Sequence, residues 1–136
     1  MITCENRVGR LIEARFVLPV GVAEIAAFAR TRSHLSATLG EMRVSVIDLS
    51  LAGTMLPDQI DALVDALQPR GKPALRSAML LPVDRATFAL QMSRLNRETK
   101  HPTRRNFTDR LELELWLKES LDDRERVRLS AFLDGR

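Results

Sequence analysis

The fold class of this chain is decided by one stretch, Met42-Arg43-Val44-Ser45-Val46-Ile47-Asp48-Leu49. It is rich in β-branched residues and apolar on both faces towards its end, which is typical of a central strand that helices cover on both sides. An earlier stretch alternates apolar with charged residues, the two-residue period of a half-buried strand. Its apolar members are Ile12, Ala14, Phe16 and Leu18.

Helical spacing follows the strands. An apolar stripe at i, i+3, i+4 and i+7 predicts a helix from Val22 to about Leu39, with Gly40 just past its end. The stripe consists of Val22, Ile25, Ala26 and Ala29. Four further helices are predicted. One contains Ile60–Leu67, and the next contains Phe88–Leu95 and has Asp84 as its N-cap. The third begins after the N-cap Asp109 and buries Leu113, Trp116 and Leu117, and the last runs from Asp122 to Leu133.

Three more short strands complete the pattern, at Ile2–Glu5, Ala78–Leu81 and Thr103–Phe107. Strands that alternate with helices predict an α/β fold with a mostly parallel sheet of four to five strands and helices on both faces. The first two strands add an antiparallel hairpin. Because the chain has 136 residues, 45% of them hydrophobic, we expect a single domain over residues 1–136.

Composition argues against several functions. Cys4 is the only cysteine, and the two histidines are not spaced as a metal pair, so no metal or disulfide framework is expected. No glycine-rich phosphate loop occurs among the six glycines. We therefore predict no catalytic residues, no cofactor and no enzymatic activity. The absence of an apolar run of about 20 residues or of a signal sequence predicts a cytoplasmic protein without a membrane span.

The carboxyl end of the central strand is the first candidate site. Ligands and partners of α/β sheets usually bind at the carboxyl ends of the strands, here Ser50 to Asp58 and Pro82 to Asp84. Four aspartates and no basic residue lie between Val44 and Pro69, so this surface suits a basic protein partner. The predicted partner-binding residues are Ser50, Thr54, Asp58 and Asp61. Turn formation and helix capping are alternative roles for the same side chains.

A basic stretch from Arg94 to Arg110 is the second candidate site. It holds six basic residues against two acidic ones, and arginine forms bidentate hydrogen bonds to anionic oxygens. The candidate anion-binding residues are Arg94, Arg97, Arg104 and Arg105. A solvated helix end explains the same cluster. Binding of a polyanion through Arg94 to Arg110 is an alternative function, although the lack of tyrosine and the small number of interleaved aromatic residues argue against nucleic acid.

Two segments resemble the STAS superfamily, the anti-sigma-factor-antagonist-like domains, and within it a branch of small bacterial single-domain proteins. The first segment is Val44–Ser50, which is similar to the strand leading into an Asp-Leu-Ser turn; the second is Phe107-Thr108-Asp109 followed by Leu115-Trp116-Leu117. The resemblance implies a non-catalytic regulatory domain that binds a protein or ligand. The position of the family's phosphorylatable serine falls on Pro57 or Asp58, so that phosphorylation is not expected here.

Related folds hold lipids between a helix and the sheet, which gives an alternative function. It predicts an apolar cavity for a lipid or another small apolar molecule, lined by Phe28, Phe88, Met92 and Trp116. Packing in an ordinary core is the other interpretation of these residues. An edge hairpin and an amphipathic last helix are also compatible with a homodimer.

Overall fold

The predicted elements are present in a computed structural model, which describes residues 1–83 and 86–136. The described residues form five strands, β1 (Ile2–Glu5), β2 (Leu11–Val17), β3 (Val44–Leu51), β4 (Arg76–Leu80) and β5 (Arg104–Phe107). Five helices connect or follow them, α1 (Val22–Leu39), α2 (Pro57–Ala66), α3 (Ala86–Thr99), α4 (Arg110–Lys118) and α5 (Asp123–Leu133). The predicted N-cap Asp84 lies outside the described residues.

The five strands form one sheet in the order β1-β2-β3-β4-β5. β1 pairs antiparallel with β2, and the other neighbours are parallel, with Val46 paired to Glu13 on one side and to Ala78 on the other. Right-handed crossovers in a sequential order place α1, α2 and α3 on one face of the sheet. α4 and α5 cover the other face. The predicted α/β fold class is confirmed.

Two apolar cores separate these helices from the sheet. β3 contributes to both: Ile47 and Leu49 pack beneath α1, α2 and α3, and Val44 and Val46 pack beneath α4 and α5. All four side chains are at most 1% exposed, and each contributes about 1.5–3 kcal/mol by leaving water. The prediction of a central strand covered on both sides is confirmed, although the strand runs from Val44 to Leu51 and not over residues 42–49.

The buried face of α1 differs from the predicted stripe. Ile25 and Phe28 are its buried residues, whereas Val22 is 43% exposed and Ala26 also faces solvent. The ring of Phe28 packs edge-on against Phe16 at 5.1 Å between centroids, and this large contact sets the rotation of the helix. The predicted stripe is therefore wrong by part of a turn, and the correct face carries Arg32 inward, one turn beyond Phe28.

The charged face of β2 is buried, so the prediction of a half-buried strand is wrong. Glu13 is only 4% exposed and accepts two hydrogen bonds from Arg128 of α5, at 2.7 and 2.8 Å. Arg15 contacts Asp48 of β3 at 3.2 Å, and its guanidinium carbon lies 4.2 Å from the ring centroid of Phe132. An ion pair and a cation–π contact thus connect the sheet to α5, the helix that covers it.

The strand order also decides where a cleft forms. Ligand crevices at the carboxyl ends of open α/β sheets open where the strand order reverses and helices diverge to opposite faces. The order of the described parallel strands, β2 to β5, never reverses. The strand order therefore gives no reason to expect a ligand crevice at the carboxyl ends of these strands.

Candidate functional site

The predicted partner-binding residues lie along the loop after β3 and the start of α2. Ser50 donates to Asp48 Oδ1 through its hydroxyl at 2.6 Å and its backbone N–H at 2.9 Å, which is a turn-stabilising role. Thr54 is exposed. Asp58 is an exposed acid in the first turn of α2, and the N-cap position itself is occupied by Leu56.

Asp61 contacts Arg94. The first was predicted to bind a protein partner and the second to bind an anion. Their ion pair is 2.7 Å long and joins α2 to α3, and Arg94 Nε also contacts Glu98 at 2.8 Å. These side chains are partly exposed, so each pair contributes little stability. The charges of the two candidate surfaces partly cancel where the helices meet.

The four predicted anion-binding arginines do not form one site. Arg97 is exposed on α3, whereas Arg94 is paired with Asp61 and Glu98. Arg104 and Arg105 are successive residues of β5 and therefore point to opposite faces of the sheet. Arg105 lies over the rings of Phe107 and Trp116, 5.2 and 5.8 Å from their centroids, while Arg104 faces the side of α1, α2 and α3.

The residues predicted to line an apolar cavity are also not brought together. Phe28, Phe88 and Met92 are at most 3% exposed and belong to the core beneath α1, α2 and α3. Trp116 lies on the opposite side of the sheet and is only half-buried, so its prediction as a buried core residue is wrong. The prediction that these four residues line one cavity is therefore wrong.

A polar cavity of about 240 Å³ lies near the edge of the sheet where the parallel strands begin. α1, the residue before β3, the loop after α2 and the loop after α3 all contribute to its wall. We call it the arginine pocket and define it by its basic lining residues, Arg30, Arg32, Arg43, Arg70, Lys72 and His101. Ser33 and Ser36 add hydroxyl groups, and no carboxylate is among the lining residues found in the described chain.

The inner arginines lie at helix C-termini. Arg32 donates to the carbonyl of Ala66, at the last residue of α2, at 3.3 Å. Arg43 donates to the carbonyls of Gly40, the C-cap of α1, and Lys72, both at 2.9 Å. Because the C-terminal end of a helix carries a partial negative charge of about −0.5, it attracts cations. The backbone thus gathers these guanidinium groups without a carboxylate.

Arg104 of β5 belongs to the same cluster of cations, behind the pocket wall. It donates to Thr99 Oγ1 at 3.0 Å and to the carbonyl of Leu67 at 3.3 Å, and its Nε is buried without an acceptor in the described structure. Burial and then the charge of Arg32 lower the pKa of Arg104 to about 10. Burial also lowers the pKa of Arg32, with repulsion from Arg43 as the next cause. The cluster therefore lacks negative charge.

His101 supplies the one imidazole of the arginine pocket. Its Nδ1 accepts a hydrogen bond from the backbone N–H of Thr103 at 3.3 Å. Burial, and then the charges of Arg104, Arg32 and Arg43, lower the pKa of His101 to about 4. The ring is therefore neutral near pH 7, with its hydrogen on Nε2 as a donor.

Neighbouring groups do not add nucleophilic or metal chemistry. Burial raises the pKa of the half-buried Cys4 thiol to about 11, so it is protonated and weakly nucleophilic at neutral pH. The described residues contain no group of three histidine, cysteine or acidic side chains that could bind a metal ion, and no helix long and apolar enough to cross a bilayer. The donors at the pocket fit an anion.

Comparison with known proteins found no matching family model, no curated protein and no solved structure. Sequence reasoning missed Arg32, Arg43 and His101, although it included Arg104. One signal was available: on a helix whose inward residues are Ile25 and Phe28, Arg32 follows on the same face.

Proposed function

We propose that this protein is a non-catalytic binding domain whose ligand is a small anion held in the arginine pocket. One observation carries the proposal. Arg32 and Arg43 line a cavity that has no carboxylate among its described lining residues, and Arg104 stands behind them with a buried, unpartnered Nε. Arginine binds phosphate and carboxylate groups through paired, charge-assisted hydrogen bonds.

The energetics of the arginine pocket favour the same function. Removing a charged group from water costs several kcal/mol per ion unless an opposite charge is close. Here burial first, and then repulsion from a neighbouring arginine, lower the pKa values of both groups: Arg43 acts on Arg32, and Arg32 acts on Arg104. A bound anion offsets both effects, so ligand binding should stabilise the folded chain.

Thermal unfolding in millimolar sulfate tests this proposal, with chloride at the same ionic strength as the reference. A ligand at about 100 times its Kd stabilises a protein by about 2.7 kcal/mol. Since sulfate also stabilises folded proteins non-specifically, the readout is the difference between the wild type and Arg32→Ala or Arg43→Ala. Both variants should lose the specific response. Arg97→Ala removes an exposed arginine outside the pocket and is the matched control.

Two results would contradict the proposal. In one, sulfate and chloride give the same melting temperature for the wild type. In the other, Arg32→Ala responds to sulfate as strongly as Arg97→Ala does. A polyanion such as an oligonucleotide that binds through Arg97 and independently of Arg32 would favour the surface of residues 94–110 instead, with a steep salt dependence.

Partner binding at the carboxyl end of β3 is a second proposal, the one that the resemblance to STAS domains implies. The exposed first turn of α2 favours it, because Leu56 is 64% exposed beside Asp58. A partner captured through this surface should be lost in Asp58→Lys. Equal capture by the wild type, Asp58→Lys and Asp61→Lys would refute this placement.

A further inference from the structure

We infer that the ligand of the arginine pocket is the dianion of a small phosphate monoester, bound by guanidinium groups and by His101 as an uncharged donor. This inference rests on the proposed anion-binding function and narrows it to one chemical class. It follows from the charge of the site, the tautomer of the histidine and the size of the cavity.

The charge of the inner cluster matches two negative charges. Arg32, Arg43 and Arg104 are three cations, and their carbonyl partners belong to the C-terminal ends of two helices, α1 and α2, and to Lys72. Two helix ends supply about −0.5 each, which leaves a residual charge of about +2. A carboxylate or another monoanion would leave half of this charge uncompensated.

The outer basic residues do not change that balance. Arg30 is exposed to solvent on α1. Lys72 contacts Glu41 at 2.6 Å, and Arg70 lies 3.8 Å from Asp65, with the side chains of both pairs largely exposed. Charges in such positions are screened by water and salt. The residual charge therefore belongs to the inner arginines.

The hydrogen-bond geometry keeps His101 uncharged. A second proton would have to enter at Nδ1, which already accepts the N–H of Thr103. The resulting cation would face Arg32 from α1, Arg43 from the residue before β3 and Arg104 from β5, and these charges lower the pKa of the ring. The neutral ring donates through Nε2–H to an acceptor oxygen.

The size of the cavity leaves room for more than the phosphoryl group. Its volume of about 240 Å³ exceeds that of several water molecules at about 30 Å³ each. The small apolar side chains Ala29, Ala66, Pro69 and Pro73 share its wall with the cations. These side chains suit the carbon skeleton of an ester.

These features predict a particular pH response. In the protein without ligand, His101 with a pKa of about 4 is already neutral above about pH 5, and Arg104 with a pKa of about 10 stays charged up to pH 7.5. We therefore expect the protonation of the ligand to control how binding depends on pH in this range. A phosphate monoester with a second pKa of about 6 is about 9% dianion at pH 5 and about 97% at pH 7.5. Sulfate is a dianion at both values.

Calorimetric titration with methyl phosphate, sulfate and acetate at constant ionic strength tests the inference. We expect the affinity for methyl phosphate to rise about tenfold from pH 5 to pH 7.5, as the dianion fraction rises. The affinity for sulfate should change by less than about twofold, because the pKa of His101 lies below this range. His101→Ala should weaken both ligands by roughly tenfold through a lost hydrogen bond to a charged group, with the pH response unchanged. His34→Ala is the control, since His34 is exposed and does not line the pocket.

Each other outcome has a definite meaning. Methyl phosphate binding that is equal at both pH values, or acetate binding as tight as that of methyl phosphate, overturns the dianion and leaves the anion site in place. Sulfate binding that strengthens at pH 5 in the wild type and not in His101→Ala shows that His101 is cationic in the complex, which overturns its role as a neutral donor. Binding of none of the three overturns the proposed function itself.

Discussion

Acid should destabilise this fold through His101, in the absence of any bound anion. The pKa of the ring is about 4 in the folded chain and about 6.5 when unfolded. Between these values the unfolded chain binds more protons, so the free energy of unfolding rises with pH. The stability due to the neutral ring is therefore complete above about pH 6.5 and is lost as the pH falls towards 4.

The size of the effect follows from the two pKa values. From about pH 7.5 to pH 5, the full shift corresponds to a loss of about 2 kcal/mol. His101 is partly exposed, so solvent screening reduces this to about 1 kcal/mol. Other groups add their own pH dependence, which is why a variant comparison is needed.

Urea unfolding at the two pH values measures the loss. Trp116, the single tryptophan, is half-buried and 5.5 Å from Phe107 between ring centroids, so its fluorescence should report unfolding. His101→Gln should lose about 1 kcal/mol less than the wild type between these pH values. His34→Gln changes the other, exposed histidine and should behave as the wild type. Parallel losses in the wild type and His101→Gln would refute the assignment of a neutral, poorly solvated ring.

Two further predictions concern the face covered by α5. Arg128→Met should lower the free energy of unfolding by about 3–5 kcal/mol, because the buried Glu13 then keeps only a 3.8 Å contact to Arg7 among the described residues. In denaturant melts, the double variant that adds Glu13→Leu should recover much of this loss. A double variant as unstable as Arg128→Met would contradict the burial of an unpaired carboxylate as the cause. Gly9→Ala should destabilise by about 1–3 kcal/mol, since Gly9 has φ +54° and an added Cβ would collide with the Glu125 carboxylate. Gly21→Ala, which meets nothing within 4 Å, is its control and should melt close to the wild type.

The fold could be predicted because its signals are local. Alternation in β2, the β-branched run of β3 and the caps at Asp109 and Asp122 each lie within a few residues of the element that they define. Asp109 accepts a hydrogen bond from the N–H of Leu111, and Asp122 forms a capping box with Glu125. Such signals decide the kind and order of elements.

The arginine pocket could not be predicted because its parts are distant in sequence. Arg32 of α1, Arg43 just before β3, and the pair His101 and Arg104 at the start of β5 come from three separate segments, which only the packing of the helices brings together. The rotation of α1 also depends on the tertiary contact between Phe28 and Phe16. That rotation in turn directs Arg32 inward. Net charge was uninformative for a similar reason, since many basic side chains are paired on the surface while the inner arginines are not.

The sequential strand order has a consequence for synthesis on the ribosome. All five strands and the three helices of one face emerge before α4 and α5, so the other face of the sheet stays open until the last elements arrive. At about 5–20 residues per second, this delay lasts a few seconds. During that time Glu13, Arg15 and Asp48 keep water on a surface that also carries Val44 and Val46. The carboxylate of Glu13, which pairs with Arg128 only once α5 arrives, should therefore keep this surface hydrated and limit association of the nascent sheet.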